Sequence, residues 1–168
     1  MRIFFALWPP AETARALAQW AREAQRSTGG KPADEAKIHL TLAFLGDADP
    51  EKAIRAARNV EGRKHSLPLE QARYWRENNI VWVGPRDTPP ALKALFEDLS
   101  MELYREEFIL ERRAFAAHVT LIRKARAAGL PPLPALDWPV DEFVLVRSSL
   151  SSAGSTYEPL ERFALGRP

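Results

Sequence analysis

Two of the chain's three histidines sit in the same local frame. His39 lies in Ile38-His39-Leu40-Thr41-Leu42-Ala43-Phe44-Leu45-Gly46, and His118 lies close to half a chain later in Ala117-His118-Val119-Thr120-Leu121-Ile122-Arg123. An imidazole titrates near neutral pH and can take or give a proton, and a hydroxyl can hydrogen-bond an anionic oxygen. Two imidazoles facing one substrate can therefore act as general base and general acid. A single His-x-Thr reads as a hydrogen-bonded core histidine with no chemistry to do. Its repetition in one frame points to a pair.

Both runs are short, mostly apolar or β-branched, and bounded by breakers (Gly46 after the first, Gly129 to Pro132 after the second). That pattern predicts buried or half-buried strands. Alternation along a strand puts each His and its Thr on one face, with Leu40 and Leu42, or Val119 and Leu121, on the other. Brought together about a pseudo-two-fold axis, the two strands would surround one cleft with His39, Thr41, His118 and Thr120.

The halves differ five residues after each histidine, where Phe44 in the first matches Arg123 in the second. An arginine there offers a cation to a phosphate, and a phenylalanine offers a ring to a base. Strict alternation sets Arg123 on the face opposite His118, so it must reach round the strand end or follow a β-bulge. Phe4, Phe5, Trp75 and Trp82 read first as core, with Phe5 kept beside Phe44 as a candidate for base stacking. His65, between Lys64 and Ser66 and outside any motif, reads as an exposed loop histidine. Arg126, in a run with Lys124, reads as a solvated edge.

These paired motifs resemble those of the 2H phosphoesterases, a superfamily recognised by two His-x-Thr-x segments. Within it the chain is most similar to the bacterial and archaeal RNA 2′,3′-cyclic phosphodiesterases, also called 2′-5′ RNA ligases. The matching blocks are Met1-Arg2-Ile3-Phe4-Phe5-Ala6-Leu7, the two histidine segments, Trp82-Val83-Gly84 and Ser155-Thr156-Tyr157-Glu158-Pro159-Leu160, so the resemblance spans nearly the whole chain. It implies an α+β fold of two pseudo-symmetric lobes, mostly antiparallel sheet with flanking helices, around a central cleft. It also implies hydrolysis of a terminal ribose 2′,3′-cyclic phosphate to a 2′-phosphate, and reversible 2′-5′ ligation without ATP. In that reading His39 is the proton donor and His118 the acceptor, while Thr41, Thr120 and Arg123 hold the phosphoryl oxygens. The substrates would be RNA ends or nucleoside cyclic phosphates. Two rivals stay open: a related enzyme acting on ADP-ribose cyclic phosphate or 2′-5′ oligoadenylate, and an RNA-end binding protein without catalysis.

Composition narrows the remaining classes. A length of 168 residues suits a single domain, 1–168, and a formal charge of +2 implies no broad nucleic-acid-binding face. Arginines make up 18 of the 24 basic residues, and Arg suits bidentate phosphate contacts. The absence of cysteine excludes disulfides and thiolate chemistry. Two histidines without further ligands on their strands do not make a zinc site, and no glycine-rich loop with lysine cradles ATP, so no metal or cofactor is expected. The apolar run after Arg2 is too short for a signal sequence or a membrane span, so a cytoplasmic monomer is the expectation.

The elements that must position these residues follow from periodicity. A strand over residues 2–8 leads to a helix over 10–27 stopped by Gly29-Gly30, and Asp49-Pro50 opens a helix to residue 59. Residues 67–75 and 80–83 read as a hairpin, and Thr88-Pro89 as the cap of a helix with Leu92, Leu95, Phe96, Leu99 and Leu103 on one face. Residues 129–139, with four prolines, read as a loop, and 143–150 with 157–165 as a closing strand pair.

Overall fold

Residues 3–7 are five consecutive apolar side chains, as a strand covered on both faces requires, and all five are buried. The computed structural model describes residues 1–111 and 114–168. Among them the order is β1 (Arg2–Leu7), α1 (Ala11–Thr28), β2 (Lys31–Pro32), β3 (Leu40–Asp47), α2 (Pro50–Arg58), β4 (His65–Leu69), β5 (Gln71–Trp75), β6 (Ile80–Gly84), α3 (Pro90–Arg105), β7 (Val119–Arg123), β8 (Leu136–Val140), β9 (Glu142–Ser151) and β10 (Gly154–Ala164), with a 3-10 turn at Glu35–Lys37. One sheet runs β10-β9-β1-β3 and the second β2-β7-β6-β5, while β4 and β8 form a separate pair. Every pairing of these strands is antiparallel. The α+β architecture with two facing lobes stands as expected.

The first sheet takes β1 and β3 from the start of the chain and β9 and β10 from its end; the second takes β5, β6 and β7 from later in the chain and adds β2, from the start, at its edge. The helices tie the lobes together. α1 buries Leu17, Trp20 and six alanine or threonine neighbours on one side, and packs on β2, β7 and β8. α3 turns Leu92, Leu95, Leu99 and Leu103 inward and packs on β3 and β4. One continuous apolar cluster runs through both lobes. Asp49 caps α2 by accepting the Glu51 N–H at 3.0 Å, with Pro50 at the first helical position. No helix among the described residues is long and apolar enough to cross a membrane.

Three expectations change. Residues 67–75 do not form one strand: β4 ends at Leu69 and pairs with β8, and only Gln71–Trp75 pairs with β6. The proline-rich stretch accordingly ends in a strand. Ser66 lies opposite Pro139 and Pro68 opposite Asp137, so one alternate set of outward-facing positions absorbs both missing N–H groups. The rest of that stretch is pinned by Trp20, whose indole N–H reaches the carbonyls of Pro131 and Pro132 at 3.2 Å each. Thr88 does not cap α3, which begins at Pro89-Pro90 without a side-chain cap bond. Two prolines in succession leave a capping hydroxyl few N–H groups to serve.

Gly29-Gly30 does more than stop α1. Gly30 has φ of 84°, and a Cβ there would run into the Arg123 carbonyl oxygen and lie 2.9 Å from the Lys124 backbone. The missing side chain lets β2 lie against the end of β7, pairing Lys31 with Arg123 and Pro32 with Ile122. Gly30→Ala is expected to cost more than about 1 kcal/mol in a denaturant melt, through the left-handed backbone and the collision together. It should also weaken binding of inorganic phosphate, because the end of β7 must shift. A variant with unchanged melt and unchanged phosphate binding would remove this close approach as a constraint.

Candidate active site

Each motif strand carries a bulge at the same place. Against β1, β3 sets Thr41 opposite Ala6 and Ala43 opposite Phe5, skipping Leu42. Against β6, β7 sets Thr120 opposite Trp82 and Ile122 opposite Val81, skipping Leu121. Leu42 and Leu121 occupy the same position in their motifs, directly after Thr and three residues after His. The extra residue resets the alternation, so Arg123 comes to the face that carries Thr120 rather than the opposite one. It stands on the side of Ile80, which alternates with Val81 along β6.

The histidines precede their strands and are held the same way. The Nδ1 of His39 bonds the Lys37 carbonyl at 2.7 Å, and that of His118 bonds the Ala116 carbonyl at 2.8 Å. A carbonyl only accepts, so each Nδ1 carries the proton and Nε2 is left to exchange one. The rings' surroundings differ. His39 is stacked on Trp8, with centroids 4.8 Å apart and planes 12° from parallel. Phe4 lies at 5.2 Å and Tyr157 meets it edge-on at 5.4 Å. His118 meets Trp75 at 4.6 Å and Trp82 at 6.2 Å, both at steep angles.

His39, Thr41, His118, Thr120 and Arg123 all line one cleft of about 490 Å³ between the sheets. Lys31 and Lys37 stand in its wall, as do Tyr157 and the tip of the β9–β10 hairpin at Ala153, Gly154 and Ser155. Among the described residues of the lining three cations face one acid, Asp34, whose carboxylate lies 3.3 Å from the Lys37 ammonium. The cleft favours an anion. Burial lowers the pKa of both histidines below the ordinary value. The carbonyl bonds oppose that shift, the charge of Arg123 adds to it at both rings, and that of His118 adds to it at His39. Among the described residues no three His, Cys, Asp or Glu side chains are grouped to hold a metal ion.

Known proteins match this arrangement and the sequence that builds it. The family described as LigT-like phosphoesterases matches residues 7–82. The RNA 2′,3′-cyclic phosphodiesterase of Escherichia coli K12 is 35% identical, over 98% of this chain and 96% of that one. The chain belongs to the LigT-like phosphoesterase family. The RNA 2′,3′-cyclic phosphodiesterase of Thermus thermophilus is 34% identical over 98% of this chain and 90% of its own. The crystal structure of E. coli LigT complexed with 3′-AMP superimposes with a TM-score of 0.89 at 33% identity, covering 98% of this chain and 97% of that one. The resemblance drawn from the two histidine segments is borne out.

Within this LigT-like cleft two sequence candidates do not take the place expected of them. Phe5 is fully buried (0% exposed) against Phe143 and Phe163, on the core side of β1, and cannot stack on a substrate base. Its neighbour Phe4 faces His39 instead, because adjacent strand residues point to opposite sides. Phe44 is exposed, at 52%, with the Arg2 guanidinium 5.0 Å over its ring, and lies outside the cleft lining. His65 is not a loop residue: it opens β4, half-buried, with Nδ1 bonded to the Arg63 carbonyl at 2.8 Å and no partner for Nε2 among the described residues. Trp75 is half-buried beside His118 rather than simply core. Trp8, Lys37 and Tyr157 carried no periodic or motif signal beyond their place in or next to the matched blocks, and the pairing of strands brings them in.

Lowered histidine pKa values give a signed expectation. The folded chain holds the two rings neutral more strongly than the unfolded chain does. The stability they contribute is therefore complete above the ordinary value of about 6.5 and is lost as pH falls through the folded values. In an NMR titration both rings should titrate below the ordinary value, and Arg123→Ala should raise both by removing a nearby positive charge. Arg126→Ala, a change on an exposed residue outside the cleft lining, should leave them in place. Equal responses to the two substitutions would remove Arg123 from the site's electrostatics.

Proposed function

We propose that this LigT-like chain is an RNA 2′,3′-cyclic phosphodiesterase acting by two-histidine acid–base catalysis without a metal. The observation that carries the reading is two histidines in one cationic cleft, each with Nδ1 occupied by a carbonyl and Nε2 left to exchange a proton. Relatives of that name in E. coli and T. thermophilus, and E. coli LigT structures holding 3′-AMP and phosphate, support it. The substrate is an RNA end, or a nucleoside, closed as a 2′,3′-cyclic phosphate.

His118 Nε2 accepts a proton from water as the water oxygen attacks phosphorus. The bond from phosphorus to the ribose 3′ oxygen breaks, and His39 Nε2 gives its proton to that oxygen. The phosphate stays on the 2′ oxygen. Thr41 and Thr120 donate hydrogen bonds to the non-bridging oxygens, and Arg123 offsets the charge that grows there. His39 is the proton donor in this reading, and its ring stacks on Trp8, whose indole face can hold an imidazolium. With a 5′-hydroxyl attacking in place of water, the same ring opening makes a 2′-5′ linkage without ATP. One copy of residues 1–168 is the catalytic unit in this reading, because both ends and the middle of the chain line the same cleft.

Three expected outcomes test it. Adenosine 2′,3′-cyclic phosphate should be opened to the 2′-phosphate in EDTA, followed by ³¹P NMR; loss of turnover on chelation, restored by a divalent ion, overturns the metal-free reading. His39→Ala and His118→Ala should each lose about 10²–10⁴-fold in turnover, with the double variant losing less than the product. The pH profile of kcat/KM should be a bell whose limbs reflect the pair. A flat profile, or one single variant with near-normal rate, sinks the paired mechanism, and a chain that binds 2′-nucleotides without turnover is an RNA-end binding protein.

A further inference from the structure

We propose that the cavity adjoining the catalytic cleft is a second nucleotide subsite, which takes the base of the nucleotide preceding the cyclic-phosphate end; this rests on the phosphodiesterase reading above. The cavity holds about 360 Å³ and lies on the cleft-facing side of the first sheet. Trp8, Val144, Val146, Tyr157 and Pro159 supply its apolar walls. Val144 and Val146 alternate along β9 and pack with Phe4 and Ala6 beneath Trp8 and Tyr157, so the floor is apolar and the sides are aromatic. Flat apolar and aromatic walls suit the face of a base.

Position gives this cavity its occupant. It shares Lys37 and Tyr157 with the catalytic cleft. Trp8 is the partition: its ring stacks on His39, which lines the cleft, while Trp8 itself lines only the second cavity. The Trp8 indole and the His39 ring stacked on it stand between a phosphorus atom at the histidines and a base in the second cavity, a separation that neighbouring units of one chain can span. RNA alternates base and phosphate, and the junction of the two cavities carries a cation, Lys37, where the linking phosphate would pass. Arg162 lines this cavity and not the cleft, exposed and bonded to Glu142 at 3.4 Å, and offers a cation to a further phosphate.

The same walls say how the base is selected. The Trp8 indole N–H already donates to the Ala36 carbonyl at 3.1 Å, and the Thr156 hydroxyl is directed at the Ser149 carbonyl at 3.4 Å. With these groups engaged, the cavity grips a base by its face and reads little of its edge. All four bases are then accepted at similar strength.

The experiment compares kcat/KM for three substrates on the unaltered protein. They are adenosine 2′,3′-cyclic phosphate, the dinucleotide ApA ending in 2′,3′-cyclic phosphate, and the same dinucleotide with its 5′ unit abasic. Stacking of one base predicts about a tenfold or greater advantage for the dinucleotide over the mononucleotide. The abasic dinucleotide should lose most of that advantage, and the other three bases at that position should stay within about threefold of A. Equal kcat/KM for mononucleotide and dinucleotide overturns the subsite and leaves the phosphodiesterase reading standing. An abasic dinucleotide as good as the full one also overturns it, assigning the gain to the linking phosphate. Turnover of none of the three overturns the phosphodiesterase reading and this inference with it.

Discussion

Two imidazoles can share one phosphate only if each keeps the same nitrogen aimed at it through every protonation state. The bonds from Nδ1 to the carbonyls of Lys37 and Ala116 impose that constraint. They survive the reaction, because Nδ1 carries a proton in both the neutral ring and the imidazolium. Turning His39 over would break its bond and leave the part-buried Lys37 carbonyl unpaired, a cost of about 1–3 kcal/mol, while turning His118 over would lose a bond to an exposed carbonyl. Both carbonyls lie two residues before the histidine, so backbone geometry at the strand entrance sets the ring. The sheets, the bulges and the Gly29-Gly30 turn serve to bring two such entrances to one place.

Burial and charge then set the proton inventory. In the empty cleft, desolvation and Arg123 both disfavour an imidazolium. A cyclic phosphate brings a negative charge between the rings and reverses the electrostatic part of that balance. The rings' aromatic neighbours differ. His39 stacks on an indole face, while His118 meets Trp75 and Trp82 at steep angles.

What could be read from the sequence follows the range of the interaction behind it. α1, the Asp49-Pro50 cap and the closing β9–β10 hairpin rest on neighbours within a few residues, and they stand close to where periodicity put them. The β4–β8 pair joins segments far apart in the chain, each with a proline that argues against a strand, and no local signal names its partner. One-residue parity explains the failures at the site. Phe5 and Phe4 are interchangeable by composition, yet β1 turns one into the core and the other toward His39. The position of Arg123 depends on a bulge that composition does not announce, since Leu121 looks like any other strand residue. Trp8 acts through a contact with His39 made across β1 and β3, invisible until those strands are registered.

The repeated bulge also puts Phe44 and Arg123 at matching register positions, and among the described residues Arg123 is the one arginine that lines the cleft. With Leu42 skipped as Leu121 is, Phe44 takes the register position in β3 that Arg123 takes in β7, opposite Phe4 on the side that carries Thr41. The matched positions nevertheless have different surroundings: Arg123 lines the cleft and its charge reaches both histidines, while Phe44 is exposed outside the lining. Phe44 instead carries no charge, and a cation, Arg2, rests over its ring. Repetition of a strand entrance places two proton-carrying rings. Divergence three residues past each threonine sets a guanidinium in the cleft wall from one copy and an exposed ring outside it from the other.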